Sequence, residues 1–116
     1  MDLIHQSDAQ ILSVANPLMD NLLDASAQGD YERHIRDFPD RLKAQLPRDR
    51  FDAICQSYQS SMGVLGGREF VALFRRPDSI AIERKQSFTK QAGESVAEIV
   101  MVQQNGKYLV DHAMVF

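Results

Sequence analysis

Glu98, Asp111 and His112, close together near the C-terminus, are the residues whose types best suit chemistry. They sit on two apolar, β-branched-rich runs, 95–103 and 107–116, joined through Gln104-Asn105-Gly106-Lys107. Asn-Gly between such runs predicts a hairpin with a two-residue type I′ turn, which requires positive φ at both central residues. Met101 then opposes Val110, Ile99 opposes His112, and Ala97 opposes Met114. His112 therefore shares a face with Tyr108, Val110, Met114 and Phe116. An imidazole there can act as a general base near neutral pH. The structural alternative is a histidine at the core's edge, bonded to a backbone carbonyl or a tyrosine hydroxyl. Asp111 points to the opposite face of its strand, so the expected geometry supplies no His–Asp dyad. No residue is assigned as catalytic; His112 is the named candidate, with a carboxylate as the alternative base.

The same register makes Glu98 and Asp111 diagonal neighbours, roughly 5–8 Å apart at Cβ. Two such carboxylates can share a proton or hold a divalent cation, or they can meet an arginine from a neighbouring strand or subunit. No further ligand spacing accompanies them, so no metal and no cofactor is expected. Cys55 lies on a helical stripe with Phe51 and Tyr58 and reads as a small hydrophobe, without a histidine in helical reach to activate it. His34, between Tyr31 and Ile35, is expected to face solvent, and His5 lies close to the terminus. Tyr31, Tyr58 and Tyr108 read as core residues whose hydroxyls reach a rim. Gly63, Gly66 and Gly67 precede a strand rather than a helix, the wrong order for a phosphate loop.

The elements that must position these residues divide the chain in two. Ser7-Asp8 can cap a helix with apolar positions Ile11, Leu12, Ala15, Leu18, Met19, Leu22 and Leu23, spaced at three and four. Pro17 lies inside this stripe without changing its phase, which favours one kinked helix over two. Gly29 and Asp30 provide a C-cap and the next N-cap. Two short helices, about 31–38 and 40–46, follow around Pro39. After Pro47 a third principal helix presents Phe51, Ile54, Cys55, Tyr58 and Met62. Strands are predicted over about 68–76, 79–91, 95–103 and 107–116. Helices followed by an antiparallel sheet make an α+β fold, N-terminal helices packed on a curved four-stranded sheet, in a single domain over 1–116.

Composition sets the remaining bounds. The chain has 116 residues, 44% hydrophobic and 25% charged, with a net charge of −3 and a pI near 5.5. That is enough chain to bury roughly 65% of its unfolded surface. The charge gives no basis for nucleic-acid or anionic-membrane binding. A single cysteine excludes an internal disulfide and suits a reducing compartment. The first residues show no basic segment or apolar run, so a cytoplasmic location is expected, with no membrane partner.

Gly29-Asp30-Tyr31, Leu46-Pro47 and the stretch Met62-Gly63-Val64-Leu65-Gly66-Gly67, in this order of elements, resemble the nuclear transport factor 2-like superfamily. The superfamily has a cystatin-like α+β cone, and the nearest resemblance is to small bacterial domains without an assigned function. The resemblance covers nearly the whole chain but rests on structural punctuation, so it implies a fold and transfers no catalytic residue. It also implies that His112 would point into the concave side of the cone, where SnoaL-like cyclases and ketosteroid isomerase hold substrate. Two readings follow. One is a non-catalytic ligand-binding or assembly module, with Tyr58, Tyr108, His112 and Met114 as the ligand-binding positions for a small apolar ligand. The other is a small-molecule isomerase, cyclase or hydrolase using the same pocket. Large side chains available to fill the cone (Phe38, Phe51, Phe70, Phe74, Phe88, Phe116) favour the first. The other sheet face, with Val96, Val100, Val102, Leu109, Ala113 and Val115, and with Val71 and Leu73 in the same phase, is also apolar. A homodimer through it is expected.

Overall fold

A computed structural model describes residues 2–116. After a 3₁₀ turn at Asp2–His5, helix α1 spans Asp8–Gln28. Its start is a capping box: the Ser7 hydroxyl accepts from the Gln10 N–H, and the Gln10 side chain accepts from the Ser7 N–H. Pro17 leaves the helix continuous, because a proline removes one backbone donor while the apolar stripe on either side keeps its packing. Gly29 ends α1 in the left-handed region at φ 68°, where a side chain would be strained. Asp30 then caps α2, Tyr31–Ile35, by accepting from the Arg33 N–H. Helices α3, Asp40–Gln45, and α4, Arg48–Ser61, each begin after a proline.

The second half is a four-stranded antiparallel meander in sequence order: β1 Leu65–Arg75, β2 Ile80–Phe88, β3 Ser95–Gln104 and β4 Lys107–Val115. The β3–β4 turn takes φ 52° at Asn105 and 77° at Gly106, as the Asn-Gly pair predicts. Gly66 and Gly67 fall within β1 rather than before it. The α+β architecture expected from the sequence is the one observed.

Helix α1 lies across one face of the sheet. Ile11, Ala15, Met19 and Leu22 pack with Ile80, Ile82, Ile99, Met101 and Val110, and Phe38 closes one end. Beneath α1 the Arg84 guanidinium is only 6% exposed and pairs with Asp20 at 3.0 Å; Asp20 also holds Arg68 at 2.8 Å, and Arg68 reaches Asp24.

Helix α4 departs from the expected packing. Of its stripe only Phe51 and Cys55 are buried, and Ile54 is 40% exposed. It is held at its ends instead. The ring of Tyr31 meets Phe51 edge-on at 5.4 Å, and the Tyr58 hydroxyl donates to the Val115 carbonyl at 2.6 Å. At the C-terminus Lys90 N–H bonds Met62 O, and Val64 N–H bonds the Thr89 hydroxyl. Gly63 permits that tie: its φ is 85°, and a Cβ there would collide with the Thr89 and Lys90 side chains. Phe70, Phe74 and Phe116 are all exposed, so they do not fill the space under α4.

Candidate functional site

The strut from Tyr58 to Val115 holds α4 above a floor of short side chains. On the helix-facing side β3 and β4 present Ala97, Ile99, Ala113 and Val115, which pair as Ala97–Val115 and Ile99–Ala113. Small residues below and a raised helix above leave a cavity of about 1030 Å³. Its wall includes Met19, Leu22, Phe38, Phe51, Ile54 and Tyr58, a half-open apolar cleft large enough for a small molecule.

His34 is one of two histidines that sequence reasoning misplaced. Expected at the surface, it lines the cavity, with its ring 5.5 Å from Phe38 and 4.9 Å from Phe51. Nδ1 lies 3.0 Å from the Leu22 carbonyl. A carbonyl only accepts, so Nδ1 carries the proton and neutral His34 keeps its lone pair on Nε2. Burial lowers its pKa, against the opposing effect of the Leu22 hydrogen bond, which keeps the ring neutral at physiological pH. The Asp30 cap fixes the phase of the five-residue α2, but so short a helix carries no periodicity that could reveal its inward side. Cys55 stays buried, 3.6 Å from the Ser26 hydroxyl. Burial raises the Tyr58 pKa, so that phenol remains a hydrogen-bond donor.

The expected placement of His112 is corrected by a β-bulge. The predicted pairing holds from Gln104–Lys107 to Met101–Val110, then shifts by one, so that Val100 opposes His112 and Glu98 opposes Met114. The extra residue is Asp111. A one-residue slip moves every later side chain to the other face. His112 and Met114 therefore leave the helix-facing side, and Ala113 and Val115 take it. The bulge is pinned by α3 and the segment before it: Arg41 reaches the Asp111 carboxylate at 2.7 Å and its carbonyl at 2.8 Å, while Val110 N–H donates to Asp37 O. Its signal in the sequence is two consecutive polar residues, Asp111-His112, interrupting the alternation of β4.

Glu98 and Asp111 accordingly do not meet. Asp111 pairs with Arg41 of the same chain, and Glu98 accepts from His112 Nε2 at 2.8 Å. Glu98 also lies directly across from Glu83 of β2. Like charges opposed in a sheet repel, which favours a proton on Glu83. Partial burial, then the hydrogen bond and charge of Glu98, push Glu83 up to about 7. Hydrogen bonds from Glu83 and from His112 hold Glu98 below the usual range. The result is a His–carboxylate–carboxyl row on the outer face, absent from the sequence expectation; of its three members only Glu98 also borders the cavity.

Of the four expected ligand positions, Tyr58 and Met114 border the cavity, Met114 at the open edge formed by β4. Tyr108 packs on the core near Val110, and His112 is on the far face. The outer apolar surface changes membership too: Ala113 and Val115 turn inward, as does Leu73, which pairs with Ile82. Val71 sits at a second register shift, in β1. Among the described residues no group of three or more His, Cys, Asp or Glu could hold a metal ion. Among the described residues no helix is long and apolar enough to cross a membrane.

No family model and no curated protein matches the chain in sequence. Solved structures do match it in shape. One described as an NTF2-like transpeptidase of Campylobacter jejuni superposes with a TM-score of 0.59 at 15% identity, over 91% of this chain and 99% of that one. The chain has the nuclear transport factor 2-like fold. Rd1NTF2_05, at 15% identity and a TM-score of 0.57, aligns over 88% of this chain and 96% of its own. Bd1075 of Bdellovibrio bacteriovorus, at 10% identity and a TM-score of 0.56, aligns over 94% of this chain but 42% of its own. At these identities the likeness concerns the fold, and function must be argued from the site.

Proposed function

We propose that this nuclear transport factor 2-like domain is a non-catalytic binding module whose cavity under α4 receives a small apolar molecule. The observation that carries this reading is the cavity itself: about 1030 Å³, with partly exposed Ile54 in its wall. A site that leaves such side chains accessible gains free energy when an apolar molecule covers them, roughly 25 cal/mol per Å². The arrangement that most resembles acid–base machinery, Glu83–Glu98–His112, lies on the outer face of the sheet and borders that space only at Glu98. His34 does line it, and its Nε2 lone pair is the observation that favours an isomerase or hydrolase as second reading. No carboxylate orients His34, its Nδ1 being bonded to a backbone carbonyl, so the binding reading is preferred.

A pairing of two copies through the outer sheet face belongs to the same proposal. Phe74 and Met114 are more than half exposed and lie on one surface with Val100 and Val102, a patch of the kind monomers rarely leave in water.

The cavity is tested by titration with Nile red, an uncharged apolar fluorophore. Saturable one-to-one binding is expected, and Ala113→Trp, which fills the floor beneath Ile54, should abolish it. No saturable binding by the wild-type protein, or unchanged binding by Ala113→Trp, would overturn the reading.

A further inference from the structure

The charged residues that line the cavity are Arg50, Lys90 and Glu98, and of these only the two cations sit at the ends of α4. Arg50, near the start of α4, and Lys90, beside its end, both line it. Neither forms an ion pair with a carboxylate among the described residues; Arg50 bonds only the Gln45 carbonyl, at 3.3 Å. The single carboxylate residue in the wall is Glu98, and its side chain is bound to His112 on the opposite face of the sheet. His34 is neutral. An occupant therefore meets apolar walls along its body and uncompensated positive charge at the two ends of α4, about 18 Å apart along the axis at 1.5 Å rise per residue. We infer that the cavity selects an elongated apolar molecule with an anionic head, such as a long-chain carboxylate. This rests on the proposed binding function and adds the class of ligand.

Charge complementarity at the rim favours the matching head and rejects the opposite one. Because both side chains are exposed at the rim, neutralising them leaves the fold intact. The test is displacement of bound Nile red by three molecules with one tail and different heads: dodecanoate, 1-dodecanol and dodecyltrimethylammonium, all below their micelle thresholds. Dodecanoate should displace at least tenfold more effectively than the trimethylammonium compound. Arg50→Gln combined with Lys90→Gln should remove that advantage while leaving dodecanol unchanged, and 0.5 M salt should reduce it. Equal displacement by all three would refute the anionic preference and leave the apolar cavity standing. Displacement by none would refute the binding reading as well. A preference for dodecanoate that survives in the double variant would show that other groups hold the head and would overturn the roles of Arg50 and Lys90.

Discussion

Replacing Glu83 by Gln tests whether the outer sheet face holds a shared proton. In the unfolded chain Glu83 titrates at its ordinary 4.5; in the fold it is pushed up to about 7 by partial burial and by Glu98 directly opposite. Between these two values the folded state binds the extra proton, so stability falls as pH rises from 4.5 to about 7, and the cost is complete above that. At 1.36 kcal/mol per pH unit, the ceiling is about 3 kcal/mol. The face is open to solvent, with the neighbouring His112 side chain 45% exposed, and screening reduces the expected value to about 1–2 kcal/mol. Glutamine resembles the protonated acid. Glu83→Gln should therefore match the wild type near pH 4.5 and exceed its stability by that amount at pH 8. Urea unfolding followed by circular dichroism, at fixed protein concentration across pH 4.5–8, measures it. A constant difference across that range, or a loss of stability at pH 8, would refute the shared proton.

Phe51→Ala should cost about 3–5 kcal/mol in the same urea assay, whereas Ile54→Ala, one turn further along and 40% exposed, should cost less than about 1 kcal/mol. Equal losses would mean that α4 is rotated from its described position. Asp20→Ala, which leaves the buried Arg84 without its carboxylate, should destabilise by about 3 kcal/mol; a loss near that of an exposed pair would show that Arg84 is hydrated in solution. Val100→Lys, in the middle of the outer face, should convert a sedimenting dimer into a folded monomer. A wild-type chain that already sediments at the monomer mass at micromolar concentration would remove the dimer from the proposal.

Local chemistry makes several elements legible in the amino-acid sequence alone. The helix cap at Ser7, the Gly29-Asp30 break, the Pro39 and Pro47 boundaries and the Asn105-Gly106 turn each act within a few residues, and each stands where the sequence places it. The alternation of β3, with Ala97, Ile99 and Met101 buried, belongs with them, because strand pleating has a fixed period.

What only the tertiary structure decided concerns long-range pairing. Arg41 is distant in sequence from Asp111, yet its contact with Asp111, together with Asp37 on Val110, accompanies the bulge that reverses the faces of His112 and Ala113. Apart from the consecutive polar residues Asp111-His112, no local feature distinguishes the two registers, since each supplies an apolar set to one side of the sheet. Whether α4 fills the cone or stands above it was likewise beyond its own stripe. Phe51, Ile54, Cys55 and Tyr58 have the spacing of a buried face, but the Tyr58 strut, the tie at Gly63 and the short side chains of Ala97 and Ala113 leave Ile54 over open space. Periodicity states which residues share a side of a helix; the distance to the opposing layer depends on what that layer contributes.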